Sequence, residues 1–459
     1  MDLKGPDQAA ILALNAIGQQ DTYLLRNDPE QSLFKYEAKQ HSNFTKFHKS
    51  TSVSRPSTET GTSSWPFGNT IKVSLNPQNM GDLLSNMYIQ CTFPAAETLS
   101  NIADQVGRHM IESVTMTVDE LEVDKYHDDW GIIYDELYLD ASEKRTKRYT
   151  LNRNQADDTS HLNDYSLSRY QSEIMIPIPM FFSRKYEGDE YDSNSPNRPY
   201  FPTCAIHKQK LGLEIKFRPI TFFTNNIQSG DGRNITLKEF NIITEELTVS
   251  QPERTFLMTT KQTFITDVVK KHPTVETVIG ENSVKLQLVP NIPVKTLNWF
   301  LRKTIYEDEN ISGSPTGSLG SGDALVRTRA FSNRFNFSSA SSYSVANSFS
   351  SAVLESAKIY VNGQDLPNIP SPDHNYYKYV VPSNCRLSRP NRNIYTYAFS
   401  MNPINVEPSG SLDFSKLNSD RTLLDINLKT GLSDTYTLHL YYLGYQTFVF
   451  DGGFMSLAY

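Results

Sequence analysis

A segment of eight residues occurs twice in this 459-residue chain, and the repeat limits the possible folds more than any other feature. Ile111–Val118 resembles Leu354–Val361, and the copies are about 240 residues apart, close to the length of one all-β sandwich with insertions. Three further pairs recur around them in the same order: Met87–Phe93 with Thr296–Arg302, Leu213–Phe217 with Leu424–Leu428, and Ile235–Val249 with Tyr436–Phe450. Because all four pairs share one order, we interpret the chain as two tandem copies of one domain.

The repeated segments have the pattern of strands. Ile71–Leu75, for example, alternates apolar and polar side chains as a half-buried strand does. The chain contains 25 Tyr and 24 Phe but only 3 Trp, and Tyr and Phe favour strands and sheet-on-sheet cores. We therefore predict an all-β protein of two tandem eight-stranded jelly rolls (a double jelly roll) with a few short helices and long loop insertions. Immunoglobulin-like sandwiches are the competitor, but they are about 100 residues long and often carry a Cys–Trp–Cys pattern, which this sequence lacks.

The predicted domains are an N-terminal arm at residues 1–20, a first jelly roll at 21–250 and a second at 251–459. Residues 308–351 are rich in Ser, Gly and Asn, which cannot fill a core, so we predict an inserted exposed loop there. A polar stretch at 187–202 is interpreted as an insertion in the first copy. The first jelly roll also contains one amphipathic helix, whose apolar face comprises Trp130, Ile133, Tyr134 and Leu137.

The bulk composition disfavours several classes of protein. No apolar run approaches the roughly 20 residues of a membrane span, and the residues after Met1 do not resemble a signal peptide. The cysteines are odd in number and far apart (Cys91, Cys204 and Cys385), which argues against a disulfide framework and for synthesis in a reducing compartment. The net charge is -7, and the one basic run, Lys144–Arg148, is interpreted as a solvated loop, with a phosphate or partner contact as the alternative. Direct, specific nucleic-acid binding is therefore not predicted.

Acidic and histidine residues offer few candidates for chemistry. His127–Asp129 could supply metal ligands, but no third ligand at a usual spacing accompanies them, and aspartate is also favoured as a cap of the helix that follows. His41 and His48 are interpreted as surface or interface residues rather than a catalytic pair, and Glu112 and Glu355 hold equivalent places in the repeat, which favours a structural role. No nucleophile elbow, phosphate loop or paired-cysteine zinc motif is present. We predict no catalytic, cofactor-binding or metal-binding residues and no enzymatic activity.

Several motifs along the chain are similar to those of a known family. Up to residue 363 they are Asp21–Leu24, Phe34–Tyr36, His41–Phe44, Asp124–Tyr126 with Trp130, Ile176–Pro179 with Phe181 and Phe182, and Lys358–Gly363. The most specific are Ile394–Ser400 and Pro408–Ser415. Together they resemble the signature of the major capsid proteins of nucleocytoplasmic large DNA viruses, a group that includes chlorella viruses, iridoviruses and marseilleviruses. The resemblance extends from Asp21 almost to Tyr459.

This resemblance implies a structural major capsid protein in the shell of the virion. It implies a homotrimer of pseudo-hexagonal outline, because two jelly rolls in each subunit give six similar corners, and such capsomers tile an icosahedral shell. The implied partners are neighbouring capsomers and minor capsid proteins, with an internal membrane nearby and assembly in the host cytoplasm. The alternatives are a lectin-like, glycan-binding double β-sandwich, and a minor capsid or penton protein of the same lineage.

Four Asn-x-Ser/Thr sequons are present, at Asn43, Asn234, Asn310 and Asn336. The pattern is common by chance, and without a signal peptide we do not expect glycosylation in the host secretory pathway. Asn310 and Asn336 fall within the predicted exposed loop, where a virus-encoded modification is the alternative.

Overall fold

Most of the chain is described by the structure, a computed structural model. The described residues are 16, 18–20, 43–57, 65–92, 105–151, 173–186, 199–223, 237–307, 334–340, 350–405 and 407–458. The chain separates into two units, Met1–Asn43 and Phe44–Tyr459, and everything that follows concerns the second. The expected arm at residues 1–20 lies almost wholly outside the described residues.

The first half of this unit is an antiparallel sandwich of eight described strands. They are β1 (Phe44–Ser54), β2 (Thr70–Leu75), β3 (Leu83–Thr92), β4 (Ile111–Val118), β5 (Leu121–His127), β6 (Glu173–Pro177), β7 (Leu211–Phe217) and β8 (Glu239–Val249). One sheet has the order β1-β8-β3-β6 and the other the order β2-β7-β4-β5. This interleaving of two four-stranded sheets is the topology of a jelly roll.

The second half repeats this topology. Its strands are β9 (Gln262–Lys271), β10 (Val275–Glu276), β11 (Ser283–Gln287), β12 (Pro293–Lys303), β13 (Leu354–Val361), β14 (Gln364–Leu366), β15 (Tyr395–Ala398), β16 (Leu412–Asp413), β17 (Leu423–Leu428), β18 (Tyr436–Asp451) and β19 (Phe454–Leu457). One sheet has β9, β18, β12 and β15 side by side, with the short strands β10, β16 and β19 added, and the other has the order β11-β17-β13-β14. The predicted double jelly roll is confirmed.

Short helices occupy the connections. They are α1 (Val106–His109), α2 (Asp128–Leu137), α3 (Ala141–Leu151), α4 (Gln251–Thr259) and α5 (Val381–Asn384), with a π-helical turn at Tyr376–Val380. The 3₁₀ turns are Pro77–Asn79, Thr203–Ile206, Ile220–Phe222, Thr304–Tyr306, Phe414–Lys416 and Ser419–Arg421. None of the helices in the described ranges is long and apolar enough to cross a membrane.

The repeated segments lie on equivalent strands. The two octapeptides are β4 and β13, each third in the order of its sheet, and both contain a β-bulge after their first residue, at Ile111 and at Leu354. A second bulge recurs in β3, after Leu84, and in β12, after Val294. When these second bulges are superposed, Met87 corresponds to Leu297, whereas the sequence comparison paired Met87 with Thr296. A short repeated segment does not determine this alignment to the residue.

The two sandwiches share side chains across their boundary. The core of the first sandwich includes Phe448 and Phe450 from the long strand β18 and Met455 from β19. In the opposite sense, α2 of the first sandwich packs on the sheet that contains β12 and β18. The two halves therefore bury apolar surface against each other instead of meeting through a flexible linker.

Candidate functional site

Helix α2 forms one apolar part of the interface between the two sandwiches, separate from the contact of β18 and β19 with the first core. Its predicted apolar face is confirmed, because Trp130, Ile133, Tyr134 and Leu137 are all buried. They pack in one cluster with Phe300, Tyr441 and Leu443 of the second sandwich. The rings of Trp130 and Tyr441 have centroids 6.1 Å apart. We call this contact region the inter-sandwich interface.

A bidentate ion pair crosses the inter-sandwich interface. The guanidinium of Arg302, in β12, donates to both carboxylate oxygens of Asp129, in α2, at 2.7 and 3.2 Å. Both side chains are 1% exposed. Burial alone would raise the pKa of Asp129, but Arg302, followed by Arg334, outweighs it and holds this pKa well below the usual range. The pair therefore stays charged, and it links the sandwiches through two charge-assisted hydrogen bonds.

The neighbouring carboxylate, Asp128, joins three segments of the chain. Arg218, after β7, donates to its Oδ2 at 2.8 Å, and Arg334 donates to the same oxygen at 3.1 Å. All three side chains are nearly or fully buried. Buried charges are tolerated when partners surround them, whereas removal of one partner is strongly destabilising. Asp128 and its two arginines thus fix the position of residue 334 relative to α2.

A second polar contact crosses the same interface near β9. Arg184 donates to the carboxylate of Asp124 at 2.9 Å within the first sandwich, and its other nitrogen donates to the backbone carbonyl of Asp267, in β9, at 3.1 Å. The ammonium of Lys295 donates to both oxygens of the Asp267 side chain at 3.0 Å. The interface is therefore held both by apolar packing and by several buried charged groups.

The candidate metal ligands serve this interface instead. Asp128 and Asp129 lie in the first turn of α2, where negative charge interacts favourably with the helix dipole, but their carboxylates bind arginines. His127 packs against Tyr441 with ring centroids 6.0 Å apart. In the described part of the chain no group of three or more His, Cys, Asp or Glu residues could hold a metal ion.

The remaining candidate residues have separate local roles. His48, on the outer strand β1, lies 3.3 Å from Glu245 of β8. His41 lies outside the described residues. Glu112 pairs with Lys216 at 2.9 Å, and its counterpart Glu355 is exposed. The structure brings none of these residues together into a common site.

The basic run belongs to a helix, so its interpretation as a loop is wrong. Lys144–Arg148 lies within α3, which packs beside α2. Lys147 pairs with Asp135 at 2.9 Å, and Lys144 donates to the backbone carbonyl of Glu136 at 2.7 Å. The run continues as a helix because Lys and Arg are good helix formers and the carboxylates of α2 neutralise part of its charge.

The predicted exposed loop is wrong for one stretch of the segment 308–351. Residues 334–338 are buried, and Phe337 stacks on Phe300 of β12 with ring centroids 4.0 Å apart. Burial of Phe335 and Phe337 and the ion pair of Arg334 with Asp128 stabilise this stretch. The Ser and Gly residues around it gave no indication of its burial. Residues 308–333 and 341–349 lie outside the described residues.

This burial bears directly on one sequon. Asn336 is 0% exposed, its amide donates to the carbonyl of Ala340 at 3.0 Å, and its Oδ1 accepts from the Ser338 hydroxyl at 2.7 Å. A glycan cannot be accommodated there in the folded chain. Asn43 is exposed, whereas Asn234 and Asn310 lie outside the described residues.

Exposed apolar side chains are frequent at one end of the two sandwiches. This end, which we call the α4 end, contains the start of β1, helix α4, the chain following β11 and β15, and the turn before β19. The exposed side chains there are Phe44, Phe256, Val289, Met401 and Phe454. Met401 is 84% exposed. Exposed large apolar side chains also occur elsewhere, as at Val278 and Ile279, but several on one surface favour a contact with another protein.

Two family models match adjoining parts of the chain. One, for the N-terminus of the major capsid protein, matches residues 32–249, and the other, for the large eukaryotic DNA virus major capsid protein, matches residues 248–439. Their border coincides with the end of β8, where the first sandwich ends. The chain belongs to the major capsid protein family of large eukaryotic DNA viruses.

Individual relatives of this capsid-family chain agree with that assignment. It is 24% identical over 441 residues to the major capsid protein of Paramecium bursaria Chlorella virus 1, which covers 91% of this chain and 86% of that protein. It is 22% identical over 477 residues to the major capsid protein of Pyramimonas orientalis virus, with 98% of each covered.

Solved structures share the fold of this capsid-family chain. VP54 of PBCV-1 superposes with a TM-score of 0.67 at 18% identity, covering 93% of this chain and 100% of that one. The Faustovirus major capsid protein superposes with a TM-score of 0.62 at 10% identity, covering 96% of each. At such identities the likeness shows a common double jelly roll.

Proposed function

We propose that the chain is the building block of a viral capsid shell and acts there as a homotrimer. The observation that carries this proposal is the duplication, in which both sheet orders and both β-bulges recur. Three copies of a two-sandwich subunit supply six similar corners, and a closed cyclic trimer satisfies its own interface. A pseudo-hexagonal block of this kind can tile flat facets of an icosahedral shell.

The proposed partners of the trimer are neighbouring capsomers and minor capsid proteins. The exposed apolar side chains of the α4 end support a contact with such a protein there, close to an internal membrane. The domain division (arm at 1–20, jelly rolls at 21–250 and 251–459, insertion at 308–351) is part of the same proposal. We also propose that the protein is located in the virion shell and is assembled in the host cytoplasm.

The proposed role is structural and not enzymatic. The buried carboxylates of the inter-sandwich interface support this role, since Asp124, Asp128, Asp129 and Asp267 are all held by arginine or lysine. The neighbouring arginines hold the pKa of Asp128 and of Asp129 below the usual range, whereas general acid or base catalysis needs a group with a pKa near the working pH.

Size-exclusion chromatography with light scattering tests the trimer. The purified full chain should elute with the mass of three copies, whereas a stable monomer would contradict the capsid proposal and favour a lectin-like module. Gel densitometry of purified particles then separates a major from a minor capsid protein by copy number.

A pair of variants tests the α4 end. Phe256→Ser with Met401→Ser should leave the subunit folded, because both side chains are exposed in the single chain, and should reduce the incorporation of the trimer into shells. The matched control is Val278→Ser with Ile279→Ser, which are 60% and 62% exposed beyond β10, at the opposite end. Equal incorporation of both variants would show that the α4 end is not a contact surface.

A further inference from the structure

A lysine and an asparagine meet in the connection between β14 and β15, and neither belongs to the ion pairs of the inter-sandwich interface described above. Lys378 donates from Nζ to Oδ1 of Asn393 at 2.7 Å. Each residue is 1% exposed. Because Oδ1 is bonded to Cγ, this hydrogen bond holds the lysine nitrogen against the amide group that it would attack.

Both partners are held in place by their surroundings. Lys378 lies in the π-helical turn Tyr376–Val380, a rare conformation that is frequent at functional sites. The amide nitrogen of Asn393 donates to the backbone carbonyl of Phe337 at 3.1 Å. The amide group therefore cannot rotate freely, and its carbonyl faces the lysine.

The local environment favours the nucleophilic form of the lysine. Burial lowers the pKa of Lys378 to about 8, and nearby Glu136 offsets only part of that effect. A substantial fraction of the amine is therefore uncharged at mildly alkaline pH, and an uncharged amine can attack a carbonyl carbon. Glu136 lies on α2, where it also accepts from the backbone N–H of Asn391 at 2.8 Å.

We propose that Lys378 and Asn393 form an intramolecular isopeptide bond. The lysine nitrogen attacks Cγ of Asn393 as the carbonyl electron pair moves onto Oδ1. The tetrahedral intermediate then collapses, the bond from Cγ to Nδ2 breaks, and the amide nitrogen leaves as ammonia with one proton from the lysine nitrogen. Amine and primary amide become a secondary amide and ammonia, so no oxidant or further reactant is required.

The bond would fasten the connection between β14 and β15. The nitrogen that donates to the carbonyl of Phe337 is the one released, so the reaction replaces this hydrogen bond with a covalent link between Lys378 and Asn393. A covalent closure of this connection removes conformations from the unfolded chain, as a disulfide does, without requiring an oxidising compartment. It would strengthen the folded subunit irrespective of any capsid role.

Intact mass spectrometry of the purified full chain tests the proposal. After incubation at about pH 9, above the pKa of Lys378, the folded protein should be lighter than its sequence mass by one ammonia. A tryptic digest should contain a branched peptide that joins the segments of Lys378 and Asn393. Asn393→Ala should restore the sequence mass, whereas Asn393→Asp can still react, with loss of one water. A wild-type chain that keeps its full sequence mass, with no branched peptide, would overturn the proposal even if both variants misfold.

Discussion

Both sandwiches contain a β-bulge at the equivalent place, in β3 and in β12, but the bulged residue that points inward differs between them. In the first sandwich the bulged residue is Ser85, whose hydroxyl donates to the carboxylate of Glu245 at 2.5 Å. In the second it is Lys295, whose ammonium donates to both oxygens of Asp267 at 3.0 Å. Ser85 and Lys295 are both 0% exposed. A bulge presents an extra side chain that the interior must satisfy, and the two copies solve this with a neutral donor and with an ion pair.

The same contrast appears further along these strands. With the two bulges superposed, Arg302 of β12 corresponds to Thr92 of β3. Thr92 is exposed, whereas Arg302 is buried at the inter-sandwich interface. Two copies of one fold have thus diverged where they meet each other. The backbone geometry is retained in both, and the difference lies in buried charge.

The largest effect is expected from Arg302→Met. The variant should lose about 3–5 kcal/mol of unfolding free energy, because Asp129 would stay buried without its bidentate partner. The equivalent change in the first sandwich, Thr92→Ala, should cost no more than about 0.5 kcal/mol. Urea denaturation followed by tryptophan fluorescence measures both, and a loss under about 1 kcal/mol for Arg302→Met would show that the ion pair does not hold the interface.

The two bulges provide the next comparison. Lys295→Met should cost about 3 kcal/mol, because it leaves the Asp267 carboxylate buried without its main partner, whereas Ser85→Ala should cost about 1 kcal/mol for a lost hydrogen bond. Burial already raises the pKa of Asp267 despite the opposing effect of Lys295. The cost of Lys295→Met should therefore shrink at lower pH, where Asp267 takes up a proton. Equal losses in the two variants, independent of pH, would refute the contrast between the bulges.

A smaller, pH-dependent difference is expected two residues before β4 and β13. The first sandwich has His109 there and the second has Ala352, and both are buried. Burial, assisted by Arg334, lowers the pKa of His109 to about 3. Since the unfolded histidine titrates near 6.5, the unfolded chain binds more protons between these values, so this stability is complete above pH 6.5 and is lost as the pH falls.

His109→Ala transfers the residue of the second sandwich to the first. It should reduce the slope of stability against pH by about 1 kcal/mol per pH unit between pH 6 and 4. Thermal or urea unfolding at a series of pH values measures this slope. His127, whose pKa burial lowers to about 4, still contributes in the variant, so the slope should not vanish. An unchanged slope would show that His109 is not buried neutral.

The fold was accessible from the sequence because strand periodicity and duplication are local or repeated signals. The four repeated segments and the amphipathic helix α2 are of this kind. The residue-by-residue alignment of β3 with its repeat β12 could not be predicted, because a bulge adds one residue that the sequence pattern does not reveal. Nor was the burial of Arg334–Ser338, which depends on Asp128 and Phe300, distant in the sequence.

Only one feature of the sequence indicates the charged part of the inter-sandwich interface. β12 carries Lys295 and Arg302 within an otherwise mostly apolar strand, Pro293–Lys303, of which all but the first residue are buried. Charged side chains in such a strand need buried partners. The partners Asp129 and Asp267 come from other elements, however, and no local pattern identifies them.

Cryo-electron microscopy of the assembled shell tests the central claim most directly, namely that two equivalent sandwiches in one chain make a pseudo-hexagonal trimeric block. We expect capsomers of three chains, with the six sandwiches of β1–β8 and β9–β18 alternating around a threefold axis and the inter-sandwich interface inside each chain. Capsomers in which one chain occupies a single corner, or in which its two sandwiches belong to different capsomers, would contradict it.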